Sequence, residues 1–590
     1  MARRRLNKKV AMMGATVFLL VAIMAVFVIL RLNRDPAPLI ADGDAAWAAK
    51  DYPTARENYG RAYGLAAAPE MKVDLLFKLS DVYREMGQWD KVLACWETIV
   101  TTDPDNVRAY LGRLKYAYIL ADSLGSAGRG VSAYWDEVLT QARKTLRVVE
   151  DAGLLDAGRA EWEPSLGTVK DRGWSRGASV LGPHLRFVKG RAAMELAAMG
   201  AVTNPDELLQ EAQTDLEEAQ KLDVGNAQVY HYLAEVFVTR GKTAASAGNR
   251  VEQTAAEKQA DEILAEAVRA ADEVPETHVH LLARKLAVIQ RGTIAAARER
   301  MGELESEYEA LTQRFASSPQ AYAAKAQFYS FFAAYLDTAS ALDKLDRAIA
   351  ASEQAVALDP ENVEYAILTA GYQYRKYSIY RDAEALQASI HLAEKSLELP
   401  DAQDTPGPTQ AARRINRFSL CSMLARSCID RILSLSPSDP ARDGLLARAE
   451  EAVRQIGQIQ GSGENPDVLK WQGMLDLAKG HTGKAVKSLY AAYQQIKAAN
   501  PPEQRDPHLS LTLATIFKET SETGAVIDFL GVAMSSGIIH TKPDALLDYG
   551  DALMQAGSYE VVTHVVDSFE ERFGQNSRSR VLRVRALIAK

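Results

Sequence analysis

Residues 76–107 read LFKLSDVYREMGQWDKVLACWETIVTTDPDNV. Leu76, Leu79 and Tyr83 recur at helical spacing, and Val92, Trp96 and Ile99 do so again beyond Gly87. Two helices are therefore expected, ended by the loop Asp103-Pro104-Asp105-Asn106-Val107. Pro104 disfavours helix at the residue before it. Asn106 is placed to cap the next helix through its side-chain oxygen. The same loop returns as Asp359-Pro360-Glu361-Asn362-Val363 and, more loosely, as Asp223-Val224-Gly225-Asn226-Ala227. A non-repeating helical bundle has no reason to reuse one loop, so an internal repeat is the better reading.

Further copies of the frame lie outward from these loops. Gly473, Asp476 and Gly480 precede Ala485, Leu489 and Ala492; Gly550, Leu553, Gly557 and Tyr559 precede Val562, Val566 and Phe569. Ala514 and Phe517 precede Val526, Leu530 and Ala533, and Tyr52, Ala55, Tyr59 and Ala62 stand near the N-terminus. At these residues the chain resembles the tetratricopeptide repeat (TPR) family, a helix–turn–helix of about 34 residues. Small residues such as Gly473, Ala485 and Ala492 would let paired helices approach, while Tyr83, Trp96 and Leu489 would fill the space toward the next pair. The fold class expected is all-α: a TPR-like α-solenoid of antiparallel helix pairs with one N-terminal transmembrane helix.

Length agrees with an array. The chain has 590 residues, whereas a single core stops growing at roughly 250–300. Beyond Asp35 there is room for at most roughly sixteen units, and about nine to twelve are expected because several stretches leave the frame. The expected organisation is a basic cytoplasmic tail at 1–9, a transmembrane anchor at 10–30 and a first TPR-like array over 36–400. That array carries irregular insertions at about 120–185 and 242–258, the first rich in glycine and the second a polar helical hairpin. A linker over 401–410 (DAQDTPGPTQ) would separate it from a second array over 411–590, closed by a capping helix from Ser579 to Lys590.

The anchor is Val10–Leu30, VAMMGATVFLLVAIMAVFVIL, 21 residues without a charge. As a helix it spans roughly 30 Å, the thickness of a bilayer core. Arg3, Arg4, Arg5, Lys8 and Lys9 precede it, and Arg31 and Arg34 follow. That bias keeps the N-terminus in the cytoplasm and sends the array across. A cleaved signal peptide is the rival reading, but its apolar run is shorter and ends at an A-x-A-like site, whereas RLNRDP follows here. The expectation is a single-pass protein of an inner (cytoplasmic) membrane with periplasmic repeats. It is similar to membrane-anchored bacterial TPR proteins that recruit envelope components.

Motifs for chemistry are weak. Gly173-Trp174-Ser175-Arg176-Gly177 matches GxSxG, yet EPSLGTVKDR before it is not a buried strand and Pro183 would cut any following helix. His278 and His280 face different directions on a helix and cannot easily share a metal. Gly125–Gly130 lacks the GK[ST] of a phosphate loop. Cys421 and Cys428, about two turns apart, read as buried small apolar residues. With no CxxC or Cys/His zinc spacing, no metal or cofactor is expected. Arg413, Arg414 and Arg417 read as a solvated helix face, and the net charge of −8 gives no footprint for nucleic acid. An enzyme would need a catalytic domain within Gly125–Pro183, a stretch too short for its own core.

No catalytic activity and no small-molecule substrate are therefore expected; the partners expected are proteins, plus the lipid bilayer at the anchor. The resemblance implies a groove along the first helix of each unit. Its candidate residues here are Asp81 and Arg84, then Lys115 and Tyr118, and further on Lys470, Trp471 and Met474. The lysine–asparagine clamp with which some TPR domains hold a chaperone's terminal carboxylate is missing: its positions hold Ile40 and Asp44, Phe77 and Asp81, Leu111 and Lys115. The alternative is a cytosol-facing TPR receptor or regulator on a membrane, against which the basic flank argues.

Overall fold

The computed structural model describes residues 17–19, 35–125, 132–162, 174, 178–200, 204–290, 294–336, 338–461, 463–500, 505–519, 522–536 and 542–590. The tail at 1–9 and the apolar run at 10–30 lie outside them, except that Val17, Phe18 and Leu19 are helical and exposed. Among the described residues no helix is long and apolar enough to cross a membrane.

Contacts divide the chain into two compact units, Met1–Ala260 with Thr405–Ala411, and Asp261–Asp404 with Ala412–Lys590. In the first, α1 (Ala37–Ala48) pairs with α2 (Tyr52–Leu65), α3 (Pro69–Glu85) with α4 (Trp89–Thr102), and α5 (Val107–Gly125) with α6 (Ser132–Asp151). After the single turn α7 (Arg159–Trp162), α8 (Leu181–Ala198) pairs with α9 (Pro205–Leu222). Then α10 (Ala227–Ser246) turns back into α11 (Arg250–Ala270). The second unit stacks α12 (Pro275–Ile289) on α13 (Ile294–Arg314), α14 (Pro319–Ala333) on α15 (Thr338–Leu358), and α16 (Val363–Tyr380) on α17 (Ala383–Ser396). It goes on through α18 (Gln410–Ser434) and α19 (Ala441–Gln460), α20 (Pro466–Ala478) and α21 (Thr482–Ala499), then α22 (Pro507–Glu519) and α23 (Thr523–Ser535). It ends in α24 (Pro543–Gln555), α25 (Tyr559–Phe573) and the lone α26 (Ser577–Ala589). Each unit is a helical-repeat solenoid.

Local chemistry sets the joints. In all three repeated loops the asparagine bonds in the same way. Asn106 Oδ1 accepts from Ala109 N at 3.1 Å, Asn226 Oδ1 from Gln228 N at 3.1 Å and Asn362 Oδ1 from Glu364 N at 3.1 Å. Each Nδ2 donates back to the loop's aspartate, Asp103, Asp223 or Asp359. One orphan N–H of the helix start is thereby satisfied. Pro69, Pro205, Pro275, Pro319, Pro466 and Pro543 open their helices, where a missing N–H costs nothing.

Close packing follows the small residues. A Cβ on Gly473 would stand 2.7 Å from Leu489 Cγ and 3.1 Å from the Ala485 carbonyl oxygen. On Gly190 it would meet Leu216 Cγ at 2.8 Å and the Ala212 oxygen at 3.2 Å. A pair cannot close on itself: the core around α18–α20 joins Leu420, Cys421, Cys428, Ile456 and Trp471 from three helices.

Several expectations are corrected. Within 120–185, Ser132–Asp151 is a regular helix with Trp135, Val138, Leu139, Ala142 and Val149 buried at helical spacing. Pro183 does not cut the helix after it; it is the third residue of α8, in the first turn, where the N–H would have no intrahelical acceptor. The stretch 242–258 is the helical hairpin expected, turned at Gly248 with φ +75°, but it is formed by α10 and α11 themselves rather than by an insertion. Residues 401–410 are no free linker: Pro400–Ala402 form a 3-10 turn, Thr409 is buried, and Gly407 lies against the Trp89 ring. Nor are Arg413, Arg414 and Arg417 a solvated face. Arg417 donates to the Ala402 carbonyl at 3.1 Å and to Gln455 Oε1 at 2.9 Å, and Arg414 to the Ile459 carbonyl at 3.1 Å. Arg413 stands 3.8 Å from Asp401. Arginine's rigid fork of donors lets one helix fasten both the preceding turn and the following helix end. The capping helix α26 is fixed by an Asn576–Ser579 capping box yet leaves Val581, Val584, Leu587 and Ile588 exposed.

Candidate partner-binding surface

The seven residues placed in a groove by sequence meet different fates. Asp81 and Arg84, one turn apart on α3, pair with each other at 2.8 Å. Lys115 and Tyr118 on α5 are buried rather than presented. Lys470 on α20 is half-buried and holds Asp506 at 2.8 Å; Trp471 is buried, and Met474 packs on the core beneath. The structure thus brings Asp81 to Arg84 and Lys470 to Trp471, as separate contacts on different helices. Of the GxSxG match, just Trp174 is described; it is fully buried, edge-on to His184 at 4.5 Å and to Tyr118 at 5.4 Å. His278 and His280 are half-buried at the start of α12; His278 bonds the Asp272 carbonyl at 2.9 Å and packs on Phe315. Burial pushes the Cys421 thiol up to about 11 and that of Cys428 to about 12, so both are protonated at neutral pH.

Tyr118 belongs to a polar knot inside the first unit. Arg191 of α8 donates to the Tyr118 hydroxyl and to Asp122 Oδ1 at 2.6 Å, with Glu195 3.7 Å away. Its guanidinium lies 5.0 Å from the Tyr118 ring, 5.0 Å from Trp135 and 4.5 Å from Tyr232. Burial raises the Glu195 carboxyl against the pull of Arg191. This knot ties α5, α6, α8 and α10 together and is consumed by the fold.

The second unit carries a lane of another kind. Tyr374 of α16 donates from its hydroxyl to Asp430 Oδ2 of α18 at 2.6 Å. Arg426, one turn before Asp430, sits 5.6 Å from the Tyr374 ring and 5.7 Å from the Trp471 ring of α20. Lys470 lies 4.9 Å over the same Trp471 and grips Asp506, whose carboxylate caps α22 through the His508 and Leu509 N–H groups. Lys542, just before α24, donates to the Ser378 carbonyl near the end of α16 at 2.8 Å. First helices of successive pairs thus share one lane, and its two ends meet.

Charge balance in this lane is positive. Burial and the neighbouring Arg426, Lys542 and Lys470 hold His508 down at about 4, although Asp506 pulls the other way. Burial, then Arg381, lowers the Lys542 amine. By contrast, a cavity of about 260 Å³ is lined by Lys518, Asp548, Asp551, Arg578 and Arg585, and both of its carboxylates are paired within it. There Lys518 meets Asp548 at 2.8 Å, and Arg578 meets Asp548 at 2.5 Å and Asp551 at 2.6 Å. The sequence reading missed Tyr374, Arg426, Asp430, His508 and Lys542. The i, i+4 pair Arg426–Asp430 was visible, but its opposition to Tyr374 and Lys542 was not.

Among the described residues no group of three histidine, cysteine, aspartate or glutamate side chains could hold a metal ion. No protein-family model matches the chain, and no curated protein does. Its neighbours among solved structures include TPR-type proteins. The APC/C hetero-tetramer Cut9-Hcn1 matches over 95% of this chain and 98% of its own at 12% identity and TM-score 0.32. Yeast Tom70 covers 94% and 95% at 13% identity and TM-score 0.27. TTC0263, a TPR protein of Thermus thermophilus, covers 40% and 98% at 14% identity and TM-score 0.26. Likeness at this level carries no argument about function. The chain is a helical-repeat solenoid.

Proposed function

We propose that the protein is a non-catalytic scaffold that holds a protein partner along the first helices of its second unit, tethered to a membrane by Val10–Leu30. One observation carries the reading: α16, α18, α20 and α22 contribute the half-buried Tyr374, Arg426, Asp430, Lys470 and Asp506 to a single lane, with the buried Trp471 beneath it. Extended surfaces of this sort suit a polypeptide segment, which can meet several pairs at once. For the tether, the support is the charge-free run of 21 residues between basic flanks. The same flanks favour repeats on the extracytoplasmic side of a bacterial inner membrane.

A photo-crosslinking residue in place of Met474, in the full-length chain in membranes, should capture a discrete protein. The same residue in place of the exposed Val251 should not. Capture at neither position, or equally at both, removes the scaffold reading. Protease added to spheroplasts should digest the solenoid; protection until the membrane is broken would put it in the cytosol.

A further inference from the structure

The lane sets four cations, Arg381, Arg426, Lys470 and Lys542, against two carboxylates, Asp430 and Asp506. Lys470 is neutralised by Asp506. Arg426 makes only ring contacts, with Tyr374 and Trp471, and Arg381 only one, 5.6 Å from Tyr377. Lys542 reaches a backbone carbonyl. Among the described residues none of these three cations forms an ion pair, although Arg426 and Lys542 are half-buried; Arg381 is exposed. Asp430 is the acid beside them; it is taken up by the Tyr374 hydroxyl, and burial raises its carboxyl despite Tyr374, Arg426, Lys542 and Arg381. Taking cations out of water without a partner is costly, and a bound anion would recover that cost.

We propose that Arg426, with Lys542 and Arg381 behind it, is the anchor for one carboxylate of an acidic partner segment lying across α16–α22. This deepens the scaffold reading and rests on it. The guanidinium fork accepts a carboxylate in a bidentate pair. The Tyr374 and Trp471 rings beside it offer apolar surface to the neighbouring residue of the segment. A polyanion such as RNA fits poorly, because Asp430 and Asp506 stand in the lane and the whole chain carries a net charge of −8.

Fluorescence anisotropy on the full-length chain in detergent tests this, using a labelled ten-residue peptide alternating Glu and Leu. A Gln–Leu peptide and a ten-nucleotide single-stranded RNA serve as controls. The Glu–Leu peptide should bind at least tenfold tighter than the Gln–Leu peptide and lose at least tenfold in Arg426→Met and in Lys542→Met. Arg381→Met should lose less. Amidating the peptide's C-terminus should leave binding unchanged, because a side-chain carboxylate is read; loss of binding on amidation overturns the proposal. Circular dichroism melts identify a variant that fails to fold, in which case the other two and the peptide comparison decide. Equal binding of Glu and Gln peptides, no binding of either, tighter RNA binding, or unchanged affinity in the folded variants overturns the proposal. The Met474 crosslink is read separately: if it persists in Arg426→Met, the carboxylate anchor falls and the scaffold stands.

Discussion

Gly473 is where the solenoid's close approach can be tested most directly. Replacing it with alanine sets a methyl carbon 2.7 Å from Leu489 Cγ, 2.9 Å from Leu489 Cδ2 and 3.1 Å from the Ala485 carbonyl oxygen. Leu489 is fully buried and cannot swing away, and the Ala485 oxygen is backbone. Overpacking of this sort costs about 1–3 kcal/mol. Alanine's better helix propensity returns up to about 1 kcal/mol, so a net loss of about 1–2 kcal/mol is expected. Gly444, on the exposed first turn of α19, is the control: a Cβ there meets nothing within 4 Å. Gly444→Ala should therefore stabilise by up to about 1 kcal/mol. Because a repeat array need not unfold in one step, the assay is amide hydrogen exchange over residues 466–499, supported by urea midpoints. Exchange there should speed up about fivefold to thirtyfold in Gly473→Ala. Adding Leu489→Ala should show favourable coupling, since the new methyl then occupies the vacated space. If Gly473→Ala exchanges as slowly as the parent chain, α20 and α21 do not depend on glycine for their contact and the packing argument fails.

Other outcomes follow from the same structure. Asn362→Ala removes the cap on Glu364 N and should cost about 1 kcal/mol, read as faster exchange at the start of α16. Arg191→Leu leaves the half-buried Asp122 and Glu195 without their cation and should cost about 3 kcal/mol in thermal or urea unfolding; a neutral effect would show the knot to be dispensable. His508, held at about 4, is neutral when folded and takes up its proton more readily when unfolded. Its contribution is present above about pH 6.5 and is lost as pH falls toward 4, by an amount on the order of 1–3 kcal/mol. The urea midpoint of the parent chain should decline across that window more steeply than that of His508→Gln, whereas parallel curves would contradict the assignment.

How much of this was legible beforehand depends on the range of the interaction. Asn106, Asn226 and Asn362 announced their caps because the bond closes within three residues. Gly473 and Leu489 announced a helix pair because side chains at fixed helical spacing must meet across a short turn. Pro183 misled because a proline's effect depends on its place in the helix, and the start of α8 carries no N-cap side chain. The candidate groove was read poorly: Lys115 and Tyr118 were placed outward by analogy, yet both are buried.

The helical spacing and the recurring loops thus determined by themselves that helices would come in pairs and where α5, α10 and α16 would begin, since these are contacts between near neighbours in the chain. Only the tertiary structure decided that Arg426 stands between Tyr374 and Trp471 and that Lys542 returns to Ser378, 164 residues away. A small rotation from each pair to the next accumulates along the stack, and no single repeat encodes which distant side chains that accumulation brings face to face.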